Sequence, residues 1–419
     1  MNRRQAIMLP GLAFAQAAGT AQAQPPAQTQ PPAPGPDTPD KILLKDYRPK
    51  SIYKVPRSDI KKAKFPIIDV HCHGARPVEQ LDEWVKTMDT VGMEKSVIFT
   101  GAATPERFAE SVKLYGKYPG RFDLWSSFDL AGSDPVKSLE ECHRLGALGV
   151  GEISDKGRGI GARGGGGRGG RGGAPNAAPP PPPTPGPHAD DPRMDPLWDK
   201  CAQLGMPVNI HVSDPIWAYE PMDNTNDGLM NGYTWTIKVV PGVLGHNELI
   251  ESLERAVAKH PKTVFIACHL ANLDYDLTRL GQIFDRHPNL YADISARFAE
   301  TAPIPRFVSQ FFHKYPDRVL YGTDMAYNQR MFSTTFRILE SNDEHFYERD
   351  LNFNFDYHWP LNGFGLPDAI LKKVYADNAR RAFEQARKNA ATYIEDLRRR
   401  DWVDLPLGKN SRLLRALGW

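Results

Sequence analysis

The amino-acid sequence predicts a closed (β/α)8 barrel of the TIM type, and three observations carry that prediction. Eight short runs rich in β-branched and aromatic residues alternate with longer segments of helical spacing. The runs are apolar almost throughout, as strands of a parallel sheet covered on both faces must be. Four of the 12 histidines, together with several carboxylates, fall at the carboxyl ends of these runs, where such barrels place their sites.

The strands read in order as "PIIDVH" (66–71), "KSVIFT" (95–100), "RFDLWSSF" (121–128), "GVGEIS" (149–154), "PVNIHV" (207–212), "TVFIAC" (263–268), "NLYADIS" (289–295) and "VLYGTD" (319–324). Leu81, Trp84, Val85 and Met88 give the first helix an apolar stripe, and Leu249, Leu253, Ala256 and Val257 do so before the sixth strand. Asp134-Pro135 and Asp195-Pro196 read as helix starts, a capping carboxylate followed by a residue whose missing N–H costs nothing there. No Gly-rich phosphate loop follows the first strand, which argues against a doubly wound sheet. The last long helix, Pro367 to about Lys388, is expected to close the ring. The remainder, ending "LLRALGW", is expected to pack outside the barrel.

The barrel domain is placed at 65–391. Before it, residues 1–23 have a basic start at Arg3 and Arg4, a short apolar run and an Ala21-Gln22-Ala23 cleavage pattern. That order predicts a signal peptide and export to the periplasm or beyond, with no stable membrane insertion, and the adjacent arginines leave the twin-arginine route open beside the general one. Residues 24–64 are a Pro/Gln-rich tether and N-terminal arm, 157–191 a disordered Gly/Pro-rich surface insertion, and 392–419 a C-terminal tail. With 41% hydrophobic and 24% charged residues and a net charge of +2, nothing in the 419-residue chain calls for nucleic acid as a partner. Cys72, Cys142, Cys201 and Cys268 show no paired spacing and read as buried thiols.

The strand ends carry His71 and His73 on the first, Glu152 on the fourth, His211 on the fifth, His269 after the sixth, Asp293 and Arg297 around the seventh, and Asp324 on the eighth. Alternation in the first strand puts Asp69, His71 and His73 on one face, with Asp69 lower and suited to orient a histidine. Imidazole and carboxylate donors suit one or two divalent metal ions, zinc first, with manganese, iron or cobalt also compatible. His71, His73, His211 and Asp324 are read as ligands. His269 is either a ligand of a second ion or a hydrogen-bonding catalytic residue. Glu152 either bridges two ions or touches substrate. Arg297 either grips a substrate carboxylate or forms a structural salt bridge, and Trp217 and Tyr219 either wall the substrate site or pack within their loop.

The pattern "DVHCH", single histidines on strands five and six, "GTD" on strand eight and the closing "GFGLPDAILKKVYADNARRAF" resembles the amidohydrolase superfamily, specifically its amidohydrolase-2 group. The resemblance covers roughly Phe65 to Ala391. It implies a metal-dependent hydrolase of a small-molecule ester, lactone or amide, with Asp324 and His269 as catalytic residues, and by analogy a homodimer. The group also includes metal-dependent non-oxidative decarboxylases and hydratases of small carboxylic acids built on the same ligands, which is the first alternative; a secreted metal-dependent binding protein without turnover is a second, from another class.

Overall fold

The computed structural model describes residues 38–74, 79–162, 185–232, 236–348 and 358–400. Residues 1–37, which hold the expected signal peptide and the start of the expected tether, the centre of the Gly/Pro insertion and "LLRALGW" lie outside the described residues. The chain divides into a unit ending at Asp46, in which Leu44–Asp46 makes a single 3-10 turn, and a unit from Tyr47 onward that holds the barrel.

Eight parallel strands pair in sequence order: β1 (Ile67–His73), β2 (Met93–Phe99), β3 (Phe122–Ser126), β4 (Gly149–Asp155), β5 (Val208–Val212), β6 (Phe265–Ala267), β7 (Leu290–Asp293) and β8 (Val319–Leu320). β8 returns to β1 through Val70 N–H to Tyr321 O at 3.0 Å and Asp324 N–H to His71 O at 2.8 Å, which closes the cylinder. Each predicted strand is present, several shorter than read, because the chain leaves the ladder to turn at the carboxyl ends.

Two departures follow from the register. Asp69 pairs with Ser96 and Cys72 with Ile98, so Val70 and His71 together face one residue of β2. Such a bulge re-aims side chains. Ile68 and Val70 share an apolar cluster with Val97, Phe99, Ile266 and Leu320 that fills the barrel, so Asp69, alternating with them, turns to the other face. The expectation of one face for Asp69, His71 and His73 is therefore corrected: the bulge returns the two histidines to the interior without Asp69. β4 is bulged in the same way, with Val150 opposite Val208 and Ile153 opposite Ile210, so that Gly151 and Glu152 share one partner. A Cβ at Gly149 would stand 2.4 Å from the Trp125 ring and one at Gly151 2.8 Å from Phe99, so the bulky interior residues of β2 and β3 demand glycine there.

The helix starts divide. Asp134 caps Pro135–Arg144 by accepting from Lys137 N–H at 3.0 Å, as expected. Asp195 is instead the first residue of its helix, Asp195–Leu204, and its carboxylate takes Lys259 at 2.5 Å and His260 at 3.0 Å. The final helix is also placed differently. Gln329–Glu340 follows β8 in the outer ring, whereas Asn378–Arg400 crosses beneath the strands. There Asn378 donates to Pro316 O and Val319 O, Asn389 donates to Lys262 O, and Ala379, Ala382 and Ala386 seal the interior cluster from below. A small-residue stripe lets this helix lie close against the barrel floor. All four cysteines are free and buried.

Candidate metal centre

The upper end of the barrel gathers the side chains that the strand ends singled out. His71, His73 and Asp324 form one group and Glu152, His211 and His269 a second, each with potential ligand atoms within 4.8 Å of one another. His71 Nε2 and His73 Nε2 lie 3.4 and 2.9 Å from Asp324 Oδ1. Glu152 stands between the groups. Its Oε1 is 2.5 Å from His211 Nδ1, 3.6 Å from His269 Nε2 and 4.0 Å from His71 Nε2, and its Oε2 is 3.6 Å from His73 Nε2.

These residues fit a divalent metal. Two donors sharing one ion at about 2.1 Å in tetrahedral geometry lie about 3.4 Å apart, which matches the separations of His71 from Asp324 and of His269 from Glu152. His71 Nε2 is fully buried and has no hydrogen-bond partner. A buried nitrogen left in that state is costly unless a ligand takes its lone pair.

Local backbone geometry aims these groups. Asp324 has φ 64°, and His269 through Asn272 run at φ 59°, 53°, 57° and 52°, left-handed conformations that cost a non-glycine residue free energy. Hydrogen bonds hold them there. Asp324 N–H is tied to His71 O, His269 N–H reaches Asp293 Oδ1 at 3.0 Å, and Asn272 Nδ2 donates to Val212 O at 2.9 Å.

A second layer sets the rings. His71 Nδ1 donates to Asp293 Oδ2 at 3.1 Å, and His269 Nδ1 donates to the Ser295 carbonyl at 2.8 Å, so both present Nε2 to the centre. Asp293 also accepts from Asn209 Nδ2 and from the Ser295 N–H and hydroxyl. Asp293, noted in the sequence without a role, is thus the orienting carboxylate. Asp69, expected to do this, accepts instead from the backbone N–H groups of His71 and Thr323 and from the Thr323 hydroxyl, and so ties β1 to β8. Asp214, missed in the sequence, lies 3.6 Å from His211 Nε2 while accepting from Lys156 Nζ at 2.7 Å. Its position three residues past His211 was the available signal.

Electrostatics sort the protonation states. Burial opposes charge on Asp324 and Glu152, yet the imidazoles of His71 and His73 beside the first, and His211 beside the second, hold both carboxyls well below the usual range. Burial and neighbouring His211 push His269 down to about 4, leaving a neutral imidazole. Burial also works against protonation of His71, but Asp293 outweighs it and raises the pKa.

Arg297, Trp217 and Tyr219 each have neighbours within the protein. Arg297 is buried, donating to Ala296 O at 2.7 Å and Asn272 Oδ1 at 2.5 Å, with Asp274 at 3.5 Å and Glu300 at 3.7 Å, so the structural salt bridge is the arrangement formed. The Tyr219 hydroxyl oxygen accepts from Ser213 Oγ at 3.0 Å. Trp217 packs on Gly228 and Gly232, where a Cβ would meet its ring at 2.2 and 2.8 Å, so both aromatic residues serve the packing of the loop after β5.

A family model for the amidohydrolases matches residues 68–385. Among solved structures, an uncharacterized TIM-barrel protein of Bordetella bronchiseptica is 17% identical, over 77% of this chain and 99% of its own, at a TM-score of 0.43. A 5-carboxyvanillate decarboxylase of Novosphingobium aromaticivorans, solved with manganese, is 16% identical over 78% and 100%, at 0.43. An amidohydrolase of Burkholderia multivorans with bound zinc is 12% identical over 76% and 99%, at 0.42. No curated protein matches the sequence.

Proposed function

Because the chain belongs to the amidohydrolase family, we propose that it is a hydrolase of small-molecule esters, lactones or amides that works with two divalent ions, zinc in the first instance, bridged by Glu152. The observation that carries this reading is the position of Glu152, with its two oxygens between the His71/His73/Asp324 group and the His211/His269 pair. His71, His73 and Asp324 would hold one ion, and His211 and His269 the other. Bound there, divalent ions supply Lewis-acid chemistry, lowering the pKa of water and polarising a carbonyl oxygen.

The chain's own groups do the rest. Asp324, kept ionised by His71 and His73, is the base that takes the proton of the attacking water and returns it to the leaving group. Neutral His269, fixed through its Nδ1, keeps a lone pair on Nε2 pointing into the centre. Decarboxylation, the second reading, calls for a cation that grips the substrate carboxylate. Arg297 is already committed to Asn272 and the carboxylates beside it, and this supports hydrolysis.

The test is metal content per chain by elemental mass spectrometry, for wild type and Glu152→Ala, paired with an ester, lactone and amide panel. Two ions falling to one or fewer, with hydrolytic turnover lost, is the expected result. One ion in both proteins would remove the bridge and turn the search to decarboxylation and hydration. We also propose export by way of the leader ending near Ala23. Recovery of a periplasmic chain beginning near Gln24 supports it, and a cytoplasmic chain retaining Met1 overturns it.

A further inference from the structure

The donor groups of the centre include one that neither mechanism nor bridge uses. Cys268, at the turn out of β6 and one residue before His269, is fully buried, and its sulfur forms a third group with His71 and Glu152 whose potential ligand atoms lie within 4.8 Å of one another. Among the described residues no other cysteine joins such a group. Within that group His71 is fully buried, and its Nε2 lacks a hydrogen bond.

We propose that Cys268 is a metal ligand, its thiolate joining His71 and Glu152 on the ion that His71, His73 and Asp324 would hold and giving the centre a preference for zinc, cobalt or cadmium over manganese or magnesium. Thiolate sulfur is a soft donor and selects such ions where carboxylate and imidazole alone do not. Coordination forms a sulfur–metal bond and releases the thiol proton to solvent, with no change of oxidation state. As a thiol, Cys268 donates to Asn209 Oδ1 at 2.6 Å. A thiolate needs a donor instead, and Asn209 carries one, because rotation of its amide presents Nδ2 to the sulfur. That rotation takes Nδ2 from Asp293 Oδ2, and Asp293 keeps its bonds from His71 Nδ1 and the Ser295 N–H through the change.

The inference rests on the reading of these strand ends as a metal centre, and the experiment separates the two. Metal-free mature protein, kept reduced, is loaded with cobalt(II), and its near-ultraviolet spectrum and bound cobalt are measured. The expected result is a thiolate-to-cobalt charge-transfer band that is lost in Cys268→Ser and kept in Cys72→Ser, with circular dichroism unchanged. X-ray absorption of the zinc-loaded wild type is expected to show a sulfur neighbour at about 2.3 Å, a readout that depends on no variant. Cobalt bound without the band, or a band that survives in Cys268→Ser, overturns the thiolate and leaves the centre standing. Protein that binds no cobalt overturns both.

Discussion

Two layers of polar residues lie one above the other in this barrel, and they are satisfied in different ways. In the supporting layer, Asp69, Asn209, Asp293 and Ser295 are fully or almost fully buried, and each finds its hydrogen-bond partners within the protein. In the layer above, four imidazoles and two carboxylates converge, and a fully buried nitrogen of His71 is left without a hydrogen bond. A buried polar group with all its partners stabilises a fold, whereas one without them marks a place where something else binds. The supporting layer is thus built for stability and aim, and the upper layer for a ligand.

The largest test of this contrast is Asp324→Ala, which removes the proposed base and a ligand together. Turnover is expected to fall about 10³-fold or more while the melting temperature stays close to that of the metal-free wild type, read by steady-state kinetics and calorimetry. A variant that keeps its rate would end the assignment of Asp324.

Asp293→Ala strikes the layer below. It strips the acceptor from His71 Nδ1, Asn209 Nδ2 and the N–H groups of His269 and Ser295. A loss of about 2–4 kcal/mol in stability is expected, together with metal affinity weakened about 10–100-fold. Denaturant unfolding and metal titration read the two effects separately, and weakened affinity without lost stability would make Asp293 a part of the upper layer.

The two supporting carboxylates also carry opposite pH signatures in metal-free protein. Hydrogen bonds and the charge of His71 overcome burial at Asp293 and hold it down to about 2, so its contribution is present above the ordinary value of 3.8 and lost as pH falls toward 2. Burial prevails at Asp69 and raises it to about 6, so its contribution is greatest with the proton on and declines as pH rises from 3.8 toward 6. Asp69→Asn is therefore expected to flatten the change in melting temperature between about pH 4 and 6. An unchanged slope would mean that Asp69 ionises as an ordinary carboxyl.

The smallest effect is expected from replacing residues 163–184 by a short Gly linker. The two ends of that insertion are held together by Gly186 N–H to Arg158 O at 2.8 Å, Ile160 N–H to Pro187 O at 2.7 Å and His188 against Asp155 at 2.8 Å. Stability is expected to change by less than about 1 kcal/mol, and a barrel that unfolds on deletion would show that the insertion belongs to the core.

Much of this site was legible in the chain because its residues sit at strand ends, and strand ends can be read from hydrophobic runs. His71, His73, Glu152, His211, His269 and Asp324 were all found that way, and the structure brings them together. The bulges were not legible. A shift of one residue in β1 moves Asp69 to the opposite face from His71, and only pairing with β2 reveals it. The alternatives left open at Arg297 and Trp217 turned on neighbours that the linear chain does not place, Asn272 and Asp274 for one and Gly228 and Gly232 for the other.

The sequence by itself determined the barrel, the order of its strands and the identity of its donor atoms, because periodicity and residue chemistry are local properties. Tertiary structure alone decided which carboxylate orients His71, that Glu152 stands between two donor groups, that the Cys268 sulfur lies near His71 and Glu152, and that the last helix seals the floor instead of closing the ring. Each of these depends on distances between strands far apart in the chain, and such distances are set by register and packing.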